Sequence, residues 1–355
     1  MLDRILSHDR PRSRWLALAL IVVVVGLAVA PFLFPGAKAC RVAAKMLVFI
    51  LLVASFDLLL GYTGIVSFAH TMFFGIGAYG VAIASTRMGP GFGAVRWARL
   101  WRWGVAGAVA ADRPVLAARE GDLLRHDHAG RGHRVPDPGL AAVRLHRRRG
   151  RPDLQEPRCA EPVVRALRQP GARRHVDGKI FTYYLLFVCV ALLFLALLRI
   201  VNSPFGRVLQ AIRENDFRAE AIGFRTVVYR TWSNVLSALF ATLAGALLAL
   251  WLRYVGPDTT LSFEIMLDIL LIVVIGGMGT MYGAVVGAAL FVLAQNYLQD
   301  LLKLGASALE GVPVLSQLVS PDRWLLWLGV LFVLSVYHFP TGIVGRLRAL
   351  ALRHP

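Results

Sequence analysis

Few side chains in this sequence have the type and spacing to do chemistry. Asp57 stands inside an apolar run, and Glu264 and Asp268, four residues apart, share one face of a helix in another. An ionisable group in a segment able to cross a bilayer is a functional candidate, because its desolvation has to be offset by a partner or a watery path. Such carboxylates line a pathway for a zwitterion on one reading, and pair at interfacial depth with a neighbouring subunit on the other. His70, with Ser67 and Thr71, puts polar groups into the apolar stretch Gly61–Gly80, as a packing histidine or as a ligand. No Ser/His/Asp, Cys/His or paired-carboxylate arrangement stands at catalytic spacing, so the chain is not read as an enzyme. Cys40, Cys159 and Cys189 lie far apart in no C-x-x-C or Cys/His spacing, which leaves neither a metal site nor a disulfide framework. Gly276, Gly277, Gly279 and Gly283 make a tight turn but lack the phosphate-binding spacing of a P-loop, and no cofactor is expected on this chain.

The elements that carry these residues are apolar and long. Of 355 residues 57% are apolar and only 17% charged, which excludes an ordinary water-soluble domain and points to an all-α polytopic membrane protein. Trp15–Phe34 is a 20-residue run without a charge, the length that crosses a bilayer core. Its length, with Pro31 and Pro35 in place of a small-residue cleavage pattern, argues against a cleaved signal peptide. Val42–Leu60, Gly61–Thr86, Ile180–Leu198, Thr231–Tyr254, Phe263–Ile275, Gly283–Leu298 and Trp324–Phe339 follow, about eight visible crossings in all. Gly61, Gly64, Gly75, Gly77 and Gly80 break the third; small residues there let helices approach closely or line a pathway.

Arginine placement sets an orientation. The connection 202–230 holds Arg207, Arg213, Arg218, Arg225 and Arg230, and the tail holds Arg346, Arg348 and Arg353; the positive-inside rule puts both in the cytoplasm, with the N-terminal arginines. Lys38, Arg41 and Lys45 then fall on the outer side, against the rule. Three spans leave the chain outside near Arg87, and Ile180–Leu198 also has to start outside, so the intervening residues cross an even number of times.

Those intervening residues differ in kind from the rest. The formal net charge is +18, and residues 93–178 hold 18 Arg and no Lys against 9 Asp and Glu, hence half of the excess. They contain no Phe, Tyr, Met, Ile, Asn, Lys, Ser or Thr, although about 11 Phe, Tyr and Met would be expected at the density found elsewhere. No run near 18 apolar residues occurs; Gly104–Ala118 is cut by Asp112 and Arg113. A frame-shifted reading of GC-rich DNA accounts for this composition, and two spans are then lost in it. A true basic insertion is the alternative. It lacks the interleaved aromatics of a single-strand platform and lies outside the membrane, so no nucleic-acid partner is expected. Neither version is expected to order, since few apolar residues recur at helical period. The chain thus divides into residues 1–92 with three spans, the block 93–178, and residues 179–355 with five spans and the loop 202–230.

That loop has a pattern of its own. Pro204 and Gly206 open a short amphipathic helix with Val208, Leu209 and Ile212 on one side and Arg207, Arg213 and Glu214 on the other. It is either a solvated loop helix or a segment that seeks a partner groove.

Gly61–Gly80, the loop Ser203–Arg225 with Ala211, Ile212, Arg213, Glu214 and Asn215, and Ile275–Ala288 together resemble the LivM-type permeases of branched-chain amino-acid ABC importers, in the same order. Glu220, Ala221 and Gly223 are similar to the acidic-alanine-glycine pattern of ABC importer permeases. The likeness covers residues 42–90 and 180–300. It implies an ABC-importer permease of the bacterial inner membrane with both termini cytoplasmic. It also implies as partners a second, LivH-like permease, two cytoplasmic ATPase subunits that use the ATP, a periplasmic substrate-binding protein, and membrane lipid. The loop would then dock on an ATPase through Arg207, Ile212, Arg213, Glu214, Asn215, Glu220 and Gly223. Gly61, Gly64, Ser67, His70, Gly75, Gly77, Glu264, Gly276, Gly277 and Gly279 remain candidates for the pathway or for helix packing. Branched-chain amino acids are the substrate that the resemblance implies; urea or other amino acids, or an inactive product of a disrupted gene, are the alternatives.

Overall fold

The structure, a computed structural model, describes residues 14–33, 37–88, 178–308, 323–339 and 341–353. Helices dominate these residues: α1 (Arg14–Leu33), α2 (Ala37–Thr63), α3 (His70–Met88), α4 (Gly178–Val201), α5 (Pro204–Glu214), α6 (Asp216–Ala221), α7 (Thr226–Leu252), α8 (Pro257–Thr260), α9 (Phe263–Gly276), α10 (Met281–Ala308), α11 (Trp324–His338) and α12 (Gly342–Arg353). The protein is all-α and multi-pass. Among the described residues seven stretches are long and apolar enough to cross a membrane, carried by α1, α2, α4, α7, α8 with α9, α10, and α11 with α12. The apolar part of α3, His70–Ile83, is shorter. The block 93–178 lies outside the described residues except for Gly178, where α4 begins, and so do Arg4, Arg10, Arg12 and Cys159.

The third apolar segment is not one helix from Gly61. Helix α2 runs on to Thr63, and residues 64–69 are non-helical, with Gly64 at φ 75°. A new helix then begins at His70. The start of α3 lies level with the middle of α2, because Ser55, two turns before the end of α2, meets His70.

Helix α2 is the axis of the bundle. In its most apolar stretch 94% of residues are buried, against 17% for α1 and 28% for α4. It packs on α7, α10, α4, α9 and α1, which explains why a helix carrying Lys38 and Lys45 is still central. Of the basic residues that break the positive-inside pattern, Lys38 and Lys45 are held by partners on α10. Lys38 forms an ion pair with Asp300 of α10, and Lys45 Nζ donates to Gln295 Oε1 at 2.7 Å, whose amide donates to Asp268 Oδ2 at 3.3 Å.

Helices α3 and α7 touch backbone to backbone. A Cβ at Gly77 would overlap the Thr242 carbonyl, and one at Gly245 the Phe74 carbonyl, so small residues at both positions set the interaxial distance. Further along, Ala78 and Ala82 of α3 cluster with Ala249 near the end of α7 and with Val255 just beyond it. The start of α4 is tied to the end of α1, where Tyr183 and Tyr184 donate their hydroxyl groups to the Leu27 and Ala28 carbonyls. The end of α3 and the start of α4 therefore lie on one face, opposite the face that carries α5 and α6.

Candidate functional site

Three separated stretches of sequence meet at the face of α5. Helix α5 opens with Pro204 at its first turn, where a missing N–H costs nothing. Leu209 and Ile212 are buried beneath it, Val208 is half-buried, and Arg207 and Glu214 are exposed. Gly206 lies flush against the Val201 carbonyl at the end of α4. Asn215 ends α5 and caps α6, its side-chain oxygen accepting from the Arg218 N–H at 2.9 Å. Gly223, at φ 100°, closes α6, with its N–H on Glu220 O and the Phe224 N–H on Ala219 O, a Schellman pattern. Glu220 accepts from the Thr226 hydroxyl at 2.6 Å, and Asp216 pairs with Arg230 at 2.8 Å, so α6 is bound to the first turns of α7. Phe205 stacks on Tyr229 with centroids 5.7 Å apart, and Phe224 meets the same ring edge-on.

From this platform the exposed side chain of Arg213 reaches the end of α2. Its guanidinium donates to the Gly61 carbonyl in the last turn of α2. One turn earlier on α2, the buried Asp57 accepts the Gly279 N–H on Oδ1 at 2.9 Å. Gly279 belongs to the turn between α9 and α10 and has φ 75°; a Cβ there would sit 3.0 Å from Gly61 O and 3.1 Å from the Arg213 guanidinium. Arg213 lies within Coulombic reach of Asp57, whose Oδ2 is buried with no hydrogen-bond partner among the described residues. Gly276 faces Gly283 across the turn, and Gly277 is covered by Gly342 at the start of α12. Gly61, Arg213, Gly277 and Gly279 thus form one junction. Gly64 borders it, close to the aliphatic stem of Arg213.

The other candidates lie elsewhere. His70 is fully buried. The single hydroxyl proton of Ser55 goes to Leu52 O at 2.7 Å, so Ser55 accepts from His70 Nε2–H at 2.9 Å, and Ser237 of α7 donates to the Ser55 carbonyl. His70 Nδ1 and Ser233 Oγ are buried without a partner among the described residues. Ser67 is half-buried in the break before α3, and Gly75 lies under the Leu261 side chain. Glu264 is exposed at the start of α9, its N–H on the Ser262 hydroxyl, whereas Asp268 is drawn into the Lys45 and Gln295 group. Among the described residues no three His, Cys, Asp or Glu converge. Sequence reasoning missed Ser55, Ser237, Gln295 and the docking of Gly342. Lone serines in apolar helices were a usable signal, as was the glycine two residues after Pro340.

The sequence has counterparts among known proteins. The profile described as "Branched-chain amino acid transport system / permease component" matches residues 160–336. The LivM permease of the high-affinity branched-chain amino acid transport system of Salmonella typhimurium is 25% identical over 339 residues, covering 88% of this chain and 75% of that one. Its Escherichia coli counterpart is 26% identical, covering 86% and 74%. A probable branched-chain amino acid transport permease LivM of Methanocaldococcus jannaschii is 28% identical over 47% of each chain. No solved structure gives a significant match.

Proposed function

The chain belongs to the LivM-type family of branched-chain amino-acid transport permeases, and from that premise we propose that it is the transmembrane subunit of an ABC importer for these amino acids. It works in the bacterial inner membrane beside a LivH-like permease, with ATPase subunits on the α5 face and a binding protein on the other. The observation that best supports this reading is the junction of Arg213, Gly61 and Gly279. A cytoplasmic helix pair whose outer surface exposes Arg207, Glu214 and Phe217 is tied through its inner surface to the axial helix of the bundle. A merely solvated loop has no need of that tie. Arg207, Glu214 and Asn215 meet the ATPase, Ile212 anchors the helix, and Glu220 and Gly223 hold α6 in place.

The test is uptake of labelled leucine by cells that supply the second permease, the ATPases and the binding protein. The gene with residues 93–178 restored to the other frame is expected to support uptake that an excess of unlabelled isoleucine or valine suppresses. Uptake suppressed by urea instead, or no uptake at all, would sink the substrate assignment.

The composition of residues 93–178 carries a second reading, that of an inactive product. Without two spans the pathway lacks two walls, and the chain as written is expected to give no uptake above a strain without the gene. Uptake by that chain would show the block to be native sequence.

A further inference from the structure

We propose that Asp57 and Arg213 are a positioning pair that makes α5, the end of α2 and the α9–α10 turn move as one body. The inference rests on the assignment of 202–230 as the ATPase-facing loop and adds how a push on that loop reaches the bundle.

The pair spans three elements. Arg213, from α5, holds the last turn of α2 by its carbonyl at Gly61, 152 residues away in sequence. Asp57, from α2, holds the turn by the Gly279 N–H, 222 residues away. The two contacts are not independent. Gly279 has no Cβ to separate it from either Gly61 O or the guanidinium, and Gly61 has none to separate it from Asp57. Gly279 touches both, its N–H on the buried Asp57 carboxyl and its Cα side against the guanidinium, so withdrawal of Arg213 opens space beside the Asp57 contact. Glycine contacts of this kind have no slack. A long side chain absorbs an ångström of displacement by changing rotamer, whereas backbone atoms in van der Waals contact pass it on. Helix α12 extends the same body, since Gly342 lies on Gly277.

Hydrogen exchange on the full chain in lipid nanodiscs tests this without any partner subunit. Arg213→Gln removes an exposed side chain from α5 and is expected to speed exchange at least ten-fold in two places, in α5 and in the turn 277–283. Asp57→Asn keeps an acceptor for Gly279 N–H but loses the charge, and is expected to speed exchange in the same two segments. The double variant should exchange no faster than the faster single one, and Arg213→Lys should restore most of the protection. Exchange that rises only in the segment bearing the substitution, or effects that multiply in the double variant, would overturn the proposal. If Asp57→Asn fails to fold, Arg213→Gln and Arg213→Lys still decide it through the remote turn. The loop assignment is read separately, from protection of the exposed face of 204–221 by an added ATPase subunit. Protection there without coupled exchange refutes the pair alone, and coupled exchange without protection refutes the loop assignment alone.

Discussion

Helix α2 is held by different means at its two ends. Near the start, Lys38 and Lys45 meet Asp300, Gln295 and Asp268 through long side chains. At the other end Asp57 and Gly61 meet Gly279 and Arg213 where a Cβ has no room. Flexible charged side chains neutralise one another and tolerate small shifts of the helices around them. Glycine contacts fix a distance. One end therefore balances charge in the membrane, and the other is suited to pass displacement between elements.

The largest expected effect lies at the glycine end. Gly279→Val forces a branched residue into positive φ against Gly61 O and should cost about 2–4 kcal/mol. The measurement is the thermal midpoint of the purified chain in detergent, and a change below a tenth of that size would break the comparison. Gly245→Val should act comparably by parting α7 from α3, which shows that the rule extends beyond α2.

At the charged end a single removal and a paired removal should differ. Asp268→Leu leaves Lys45 without its counter-charge at a cost of about 2 kcal/mol, and adding Lys45→Met should recover most of it. Additive losses in this cycle would mean that Lys45 and Asp268 do not form a unit. Tyr183→Phe removes one hydroxyl bond between α4 and α1 and should lower stability by about 0.5–1 kcal/mol. The smallest effect belongs to Lys38, about half exposed in its ion pair, where Lys38→Met should leave the thermal midpoint unchanged within error.

Much of the helical plan was legible in the residues. Each of the eight apolar segments falls on a helix, because the length of an apolar run is a local property, but among the described residues seven are long enough to cross and the third, on α3, is shorter. The loop was legible too, since the spacing of Leu209 and Ile212 sets which face of α5 is buried. Boundaries were less so. Gly61 closes α2 instead of opening the next helix, because whether a glycine ends a helix or packs inside one depends on what lies against it. The tail after Phe339 reads as a basic extension, yet Val344 is fully buried in α12.

By itself the sequence determined the class of protein, all-α and multi-pass, through hydrophobic length, and the order of its motifs, whose likeness to a permease family supplied the rest. Tertiary structure decided which motifs touch. Asp57 reads from the sequence as a lone intramembrane acid, pathway or structural, and only the fold supplies Gly279 and Arg213 as its neighbours. The same holds for Lys45, whose charge opposes the expected topology until Gln295 and Asp268 are set beside it. The physical reason is common to both: a buried ionisable group is tolerated according to its partners, and partners 222 and 250 residues away are specified by packing and not by any local pattern.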